Sequence, residues 1–290
     1  MLFETEDQAK EYAINQTSGK LNKQEIDIRI SDYEMYAHQA ASDKDRKYWE
    51  FEKERLEQWK ASHEFINGEY PDGVDELMFN LLDSRSSIYS FINVETKSSP
   101  FSDFYFFKQW VVGSSYWIFA TIGKLVSNDD RDNSLRSLWM KVLPYLKLSN
   151  VSNILEIDYL TKCLDKKNGH FTNLNSKAIN FRNKQIAHNE SKPIILWSEI
   201  DVDLKILSRM WSIITMWCSF GILMPFRNPS EVFMGLDKIY SIDEISMLKQ
   251  KYSESVTEIQ SWCERCVLTG EKISNRSPFS QISVSIEIVK

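Results

Sequence analysis

Met210-Trp211-Ser212-Ile213-Ile214-Thr215-Met216-Trp217-Cys218-Ser219-Phe220-Gly221-Ile222-Leu223-Met224-Pro225-Phe226 is the longest stretch of the chain without a charged side chain, seventeen residues between Arg209 and Arg227. A helix that crosses a bilayer needs about 20 apolar residues. This run is shorter and contains Ser212, Thr215 and Ser219. It reads as a helix buried in a protein core. Upstream, Leu204, Ile206 and Leu207 join Met210, Trp211, Ile214 and Trp217 on one inner face. Ser198 is placed to cap a helix over residues 199–224, which Pro225 and Pro229 end.

Composition extends this reading. Only 9 Gly and 7 Pro in 290 residues, with 42% hydrophobic and 13% aromatic content, indicate long helices and an ample core, hence an all-α class. The length suits one large core with extensions, or two domains. The net charge of −6 excludes a protein that coats long nucleic acid, so any nucleic-acid contact is local. Met1-Leu2-Phe3 is followed at once by Glu4, Glu6 and Asp7, unlike the basic start of a secretory leader. With four cysteines read as reduced thiols, a cytoplasmic location is expected. Cys263 and Cys266 form one CxxC, but no second CxxC or well-spaced His pair completes a zinc site. No metal or other cofactor is expected.

Ahead of the core, residues 103–127 form an aromatic-rich stretch that is apolar nearly all round and is expected at the core centre. Further helices are expected over 74–94, 135–146 (bent or broken at Pro144) and 153–164. A Lys- and Glu-rich amphipathic helix is expected from about Ser31 to Ile66, with Trp49, Leu56, Trp59, His63 and Ile66 on one stripe and His63 partly buried. Gly68 to Gly73 breaks the pattern and marks a boundary. The expected organisation is an N-terminal helical extension (1–70), a helical core (71–226) and a C-terminal helix and strand appendage (227–290). Ile26, Ile28 and Ile30 alternate with polar residues, as do Ile282, Val284, Ile286 and Ile288. These two strand signals are expected to pair into a short two-stranded sheet, within one chain or across a dimer.

Phe181-Arg182-Asn183-Lys184-Gln185-Ile186-Ala187-His188-Asn189-Glu190 closes the helical pattern before the core helix. An arginine can hold a phosphate in a fork of donors, and a histidine can move a proton near neutral pH. The same residues also fit a helix end with an ion-paired arginine and a capping histidine. On a helix over 173–188 started by Thr172, Arg182 falls within the apolar arc, where an unpaired charge is costly. Lys177 and Lys184 fall on the polar arc. Arg182 and His188 point about 120° apart and lie about 9 Å apart along the axis. A second copy of the chain would close such a site. Over residues 162–192 seven cations face two carboxylates, so this segment carries +5 and the rest of the chain −11 of the net −6. Such an island suits a short anionic strand.

Arg182-Asn183-Lys184-Gln185-Ile186-Ala187-His188 resembles the arginine-to-histidine motif of HEPN domains, in the form found in abortive-infection and toxin-like members. The resemblance covers residues 74–226. It implies an α-helical bundle that forms a homodimer and, in active members, a metal-independent endoribonuclease of toxin–antitoxin or antiviral defence systems. By the resemblance, His188 is the general acid or base at the ribose 2′-OH and Arg182 holds the phosphate. Asn183 would orient the phosphate or His188, and Lys184 and Lys177 would bind substrate. The implied partners are RNA, a second copy of the chain and an antitoxin or defence-system protein, with no membrane. Position 190 is Glu where one subgroup has a tyrosine two residues after the histidine, so regulation by modification there is not expected. The alternative is a catalytically inactive HEPN module that binds RNA, a nucleotide or a protein.

Overall fold

The computed structural model describes residues 3–17, 23–68, 73–94, 104–129, 132, 134–186, 194–218 and 226–272. The protein is all-α. Among the described residues the extended pairing amounts to one isolated bridge between Arg265 and Lys272. The chain forms two compact units, Met1–Glu76 and Leu77–Lys290.

The first unit contains α1 (Glu6–Thr17), α2 (Lys23–Gln39), α3 (Asp43–Lys60) and α4 (His63–Asn67). Residues 26–31 are therefore helical, and the expected strand is corrected. A five-residue alternation contains an i,i+4 pair, and here Ile26 and Ile30 are that pair, with Tyr33 and Ala37 continuing the stripe. Ile28 is left 54% exposed. Residues 282–289, the other half of the expected sheet, lie outside the described residues. Tyr33 and Trp49 stack at 5.5 Å in a buried cluster with Leu56. Asn15 donates to the Tyr33 hydroxyl at 2.6 Å, and that hydroxyl donates to Glu11 Oε1 at 2.9 Å. The single helix expected over 31–66 is three. Ser42 Oγ accepts from the Asp45 amide and starts α3, and Ser62 Oγ accepts from the Phe65 amide and starts α4. The break at Ala61 turns the stripe, so His63 is exposed instead of partly buried and Ile66 is 71% exposed.

The second unit is built on α10 (Trp197–Cys218). From Asp203 to Thr215 nearly every side chain is buried, and Met210, Trp211 and Ile214 are fully so. The charge-free run is thus a core helix through Trp217, while residues 219–225 lie outside the described residues. No described helix is long and apolar enough to cross a membrane. The helix starts at Trp197 instead of being capped by Ser198, because Glu199 Oε2 accepts the Leu196 amide at 2.9 Å. Around it stand α5 (Val74–Asn93), α6 (Tyr105–Leu125), α7 (Leu135–Leu148), α8 (Ile154–Cys163) and α12 (Ile242–Glu264), with the short α9 (Lys177–Phe181) and α11 (Pro229–Val232). Arg85 of α5 grips Asp201 with two bonds of 2.7 and 2.8 Å and lies 4.8 Å over the Trp197 ring. The helix α7 continues through Pro144 to Leu148.

A buried ionic knot joins α8, α10 and the end of α12. Arg209 Nε and Nη2 donate to the two oxygens of Glu156, each at 2.9 Å, and Arg209 Nη1 donates to the Cys263 carbonyl at 2.7 Å. The Val267 amide completes Glu156 at 2.8 Å. Cys263 and Cys266 are buried free thiols, and burial raises the Cys263 thiol. A second cluster brings Phe91 and Phe107 against Phe233, Tyr240, Leu248 and Tyr252. The expectation that α6 is buried all round is corrected. Ile118, Phe119, Ile122 and Leu125 are packed, but Tyr105 is 73% and Phe106 74% exposed. Apolarity on every face does not supply a neighbour for every face.

Candidate functional site

The Arg182 segment is shorter and more irregular than an ideal helix over 173–188. Thr172 does not cap it; its hydroxyl donates to the Gly169 carbonyl at 3.3 Å inside a turn. Ser176 is the cap, its Oγ accepting from the Ile179 amide at 3.1 Å. The α-helix lasts only from Lys177 to Phe181 and then widens into a π-helical turn, Arg182–Ile186. That widening changes the azimuth of the residues beyond Arg182; Arg182 itself still makes the α-helical bond to the Ala178 carbonyl, and it is exposed instead of held in the apolar arc.

Two contacts with α6 set the position of this turn. Phe181 is buried against Tyr116 and Phe119, with ring centroids 5.6 and 5.1 Å apart. Beside it Arg182 lies across Gly123. A Cβ at Gly123 would sit 2.5 Å from Arg182 Cδ, 2.6 Å from Nε and 3.0 Å from Cζ. Only a residue with no side chain leaves room for the arginine there. Arg182 Nη1 donates to Asn183 Oδ1 at 3.2 Å, and Asn183 Nδ2 donates to Asn173 Oδ1 at 2.6 Å. Asn180 also reaches this turn, donating to the Asn173 carbonyl at 2.7 Å. No carboxylate pairs with Arg182 among the described residues, so the ion-paired alternative finds no partner there.

Behind the turn stands a carboxylate that sequence reasoning missed. Asp203 of α10 is 1% exposed; it accepts from Ser176 Oγ at 2.6 Å and lies 2.5 Å from His170 Nε2. The bonds tie both ends of the 170–176 loop to the core helix. Nothing local in the sequence pairs positions 27 and 33 residues apart. Gly123 did carry a signal, being an isolated glycine inside an apolar helical stretch. No family model, curated protein or solved structure matches the chain.

Of the expected site residues, Arg182 and Asn183 are bonded to one another, Lys177 is exposed at the start of α9, and Lys184 is exposed on the π-helical turn. His188 lies outside the described residues, as do all of 187–193. The arginine has five N–H donors. Its stem is braced on α6, Nε lies against Gly123 and Nη1 donates to Asn183, while the residue as a whole is exposed.

Proposed function

We propose that this protein is a HEPN-type, metal-independent endoribonuclease, a toxin or defence effector that acts as a homodimer. Arg182 binds the scissile phosphate and offsets the charge that builds in the transition state. His188 takes the proton of the ribose 2′-OH, whose oxygen attacks the adjacent phosphorus. The bond from phosphorus to the 5′-oxygen breaks, and that oxygen takes up the proton that His188 had accepted, giving a 2′,3′-cyclic phosphate and a 5′-hydroxyl and returning His188 to its neutral form. Asn183 holds the guanidinium, and Lys177 and Lys184 carry flanking phosphates. The single observation that supports this reading best is the Arg182 guanidinium, braced on Gly123 and Asn183 and without a carboxylate partner among the described residues.

The test is incubation of the purified chain with mixed RNAs in EDTA, beside His188→Ala and Arg182→Ala. Wild type cuts and leaves cyclic-phosphate ends, while neither variant does. Mixing the two variants restores part of the activity if two protomers share a site, because the mixed dimer keeps one Arg182 and one His188. Cleavage by His188→Ala as fast as by wild type overturns the assignment.

A further inference from the structure

Separate from the Arg182 turn, the first turn of α7 and the end of α8 enclose an open groove of about 660 Å³. It is lined by Arg136, Lys162, Lys166 and Lys167, together with the exposed Met140 and the buried Leu164. None of the four cations has an ion-pair partner among the described residues. Lys147, farther along α7, instead pairs with Asp158 at 2.6 Å. The one carboxylate in the lining, Asp165, accepts from the Lys167 and Asn168 amides at 2.9 and 2.7 Å and also feels the charges of Arg136 and Lys167. Those two bonds pull its carboxyl below the usual range.

The loop that presents the lysines has a fixed shape. The Gly169 amide donates to the Asp165 carbonyl at 3.1 Å and the His170 amide to the Cys163 carbonyl at 2.9 Å. A Cβ at Gly169 would meet the Asp165 and Cys163 carbonyl oxygens at 2.4 and 2.6 Å. Partial burial lowers Arg136, and the charge of Asp165 works to raise it, so the guanidinium has one carboxylate of the groove within electrostatic reach. Four cations lining one groove beside Met140 and Leu164 match a chain of phosphates carrying bases and sugars.

We infer that this groove is a second, non-catalytic site that holds the phosphodiester backbone of a single-stranded RNA. It rests on the proposed function only for the choice of RNA as the strand. It makes the protein a two-point binder, with cleavage at Arg182 and anchoring at the α7/α8 groove. The loop joining the two is the one that Asp203 pins.

The experiment measures binding of a labelled 2′-O-methyl RNA, which has no free hydroxyl to attack, as a function of salt. The variants are Lys162→Gln/Lys166→Gln/Lys167→Gln and, separately, Arg136→Gln, with thermal unfolding as the check on folding. Each phosphate contact to a single strand contributes about 0.7 to the slope of log affinity against log salt, so the triple variant should lose about 2 from that slope. Binding at low salt should fall about tenfold or more, with the unfolding temperature unchanged. An unchanged slope in the triple variant overturns the inference, as does tighter binding of a nucleoside triphosphate than of RNA. Failure of the two readings is distinguishable on unmodified RNA. No cleavage with a reduced slope removes the ribonuclease and keeps the groove; cleavage with an unchanged slope does the reverse.

Discussion

Arg182 lies directly over Gly123, its Cδ and Nε occupying the space that a Cβ on α6 would need, at 2.5 and 2.6 Å. One helix therefore omits a side chain where its neighbour places a charged one. The arrangement holds the base of the guanidinium while leaving its outer donors to Asn183 and to solvent.

Gly123→Ala should separate stability from function. Alanine in place of a helical glycine favours the helix by about 0.5–1 kcal/mol. The atoms that the new methyl meets belong to the end of a flexible side chain, which can swing aside at small cost. We expect thermal stability equal to or above wild type, with RNA binding and cleavage reduced toward the level of Arg182→Ala. Wild-type cleavage by Gly123→Ala would show that the slot does not position the arginine.

Asp203 is expected to act through the loop it holds. Asp203→Ala leaves the Ser176 hydroxyl and the His170 ring without their buried acceptor, at a cost of about 1–3 kcal/mol. Ser176→Ala removes the α9 cap and should cost about 1 kcal/mol. Hydrogen exchange over residues 170–182 should rise in both variants, and kcat should fall without abolition. Unaltered exchange in that segment would exclude Asp203 as its anchor.

Much of this architecture was legible because it depends on local pattern. A charge-free run too short for a bilayer became the core helix α10, and the helix expected over 153–164 is α8. Three things were not legible. A five-residue alternation of isoleucines fits a strand and an i,i+4 helix pair equally, and packing of α2 on α3 decided it. Ideal helical geometry past Phe181 fails because the backbone widens there, which no side-chain period reveals. The partners of Asp203 and Arg182 come from distant segments, so the site's supports are tertiary facts even where Gly123 hinted at one.

The ionic knot of Arg209 and Glu156 should be the most sensitive point of the second unit. Both residues are buried, at 4% and 0% exposure. Glu156→Gln leaves a guanidinium without its counter-charge, and breaking a buried pair this way costs about 3–5 kcal/mol. Urea unfolding of Glu156→Gln should show a much lower midpoint for the second unit. Replacing both partners together with Arg209→Met/Glu156→Leu should recover most of the loss. A midpoint for Glu156→Gln matching wild type would mean that the knot contributes nothing.

The same knot gives the acid limb of the stability profile, and buried phenols give the alkaline one. Burial works to raise the Glu156 carboxyl, but the bonds and charge of Arg209, with bonds from Ser152 and the Val267 amide, bring it below the usual range. A depressed carboxyl stabilises the fold above its unfolded value of about 4.3 and loses that contribution as pH falls toward the folded value. Glu156→Gln should flatten that limb. At the other end, burial and then Glu244 push Tyr240 up to about 12. Burial and then the Asp83 contact raise Tyr252 further. Raised phenols stabilise the neutral fold fully below about pH 10, and the contribution is lost as pH climbs toward their folded values. Thermal unfolding against pH should therefore plateau between these limits. Tyr252→Phe should move the alkaline limb and leave the acid limb alone, whereas a shift in both would place the pH sensitivity elsewhere in the chain.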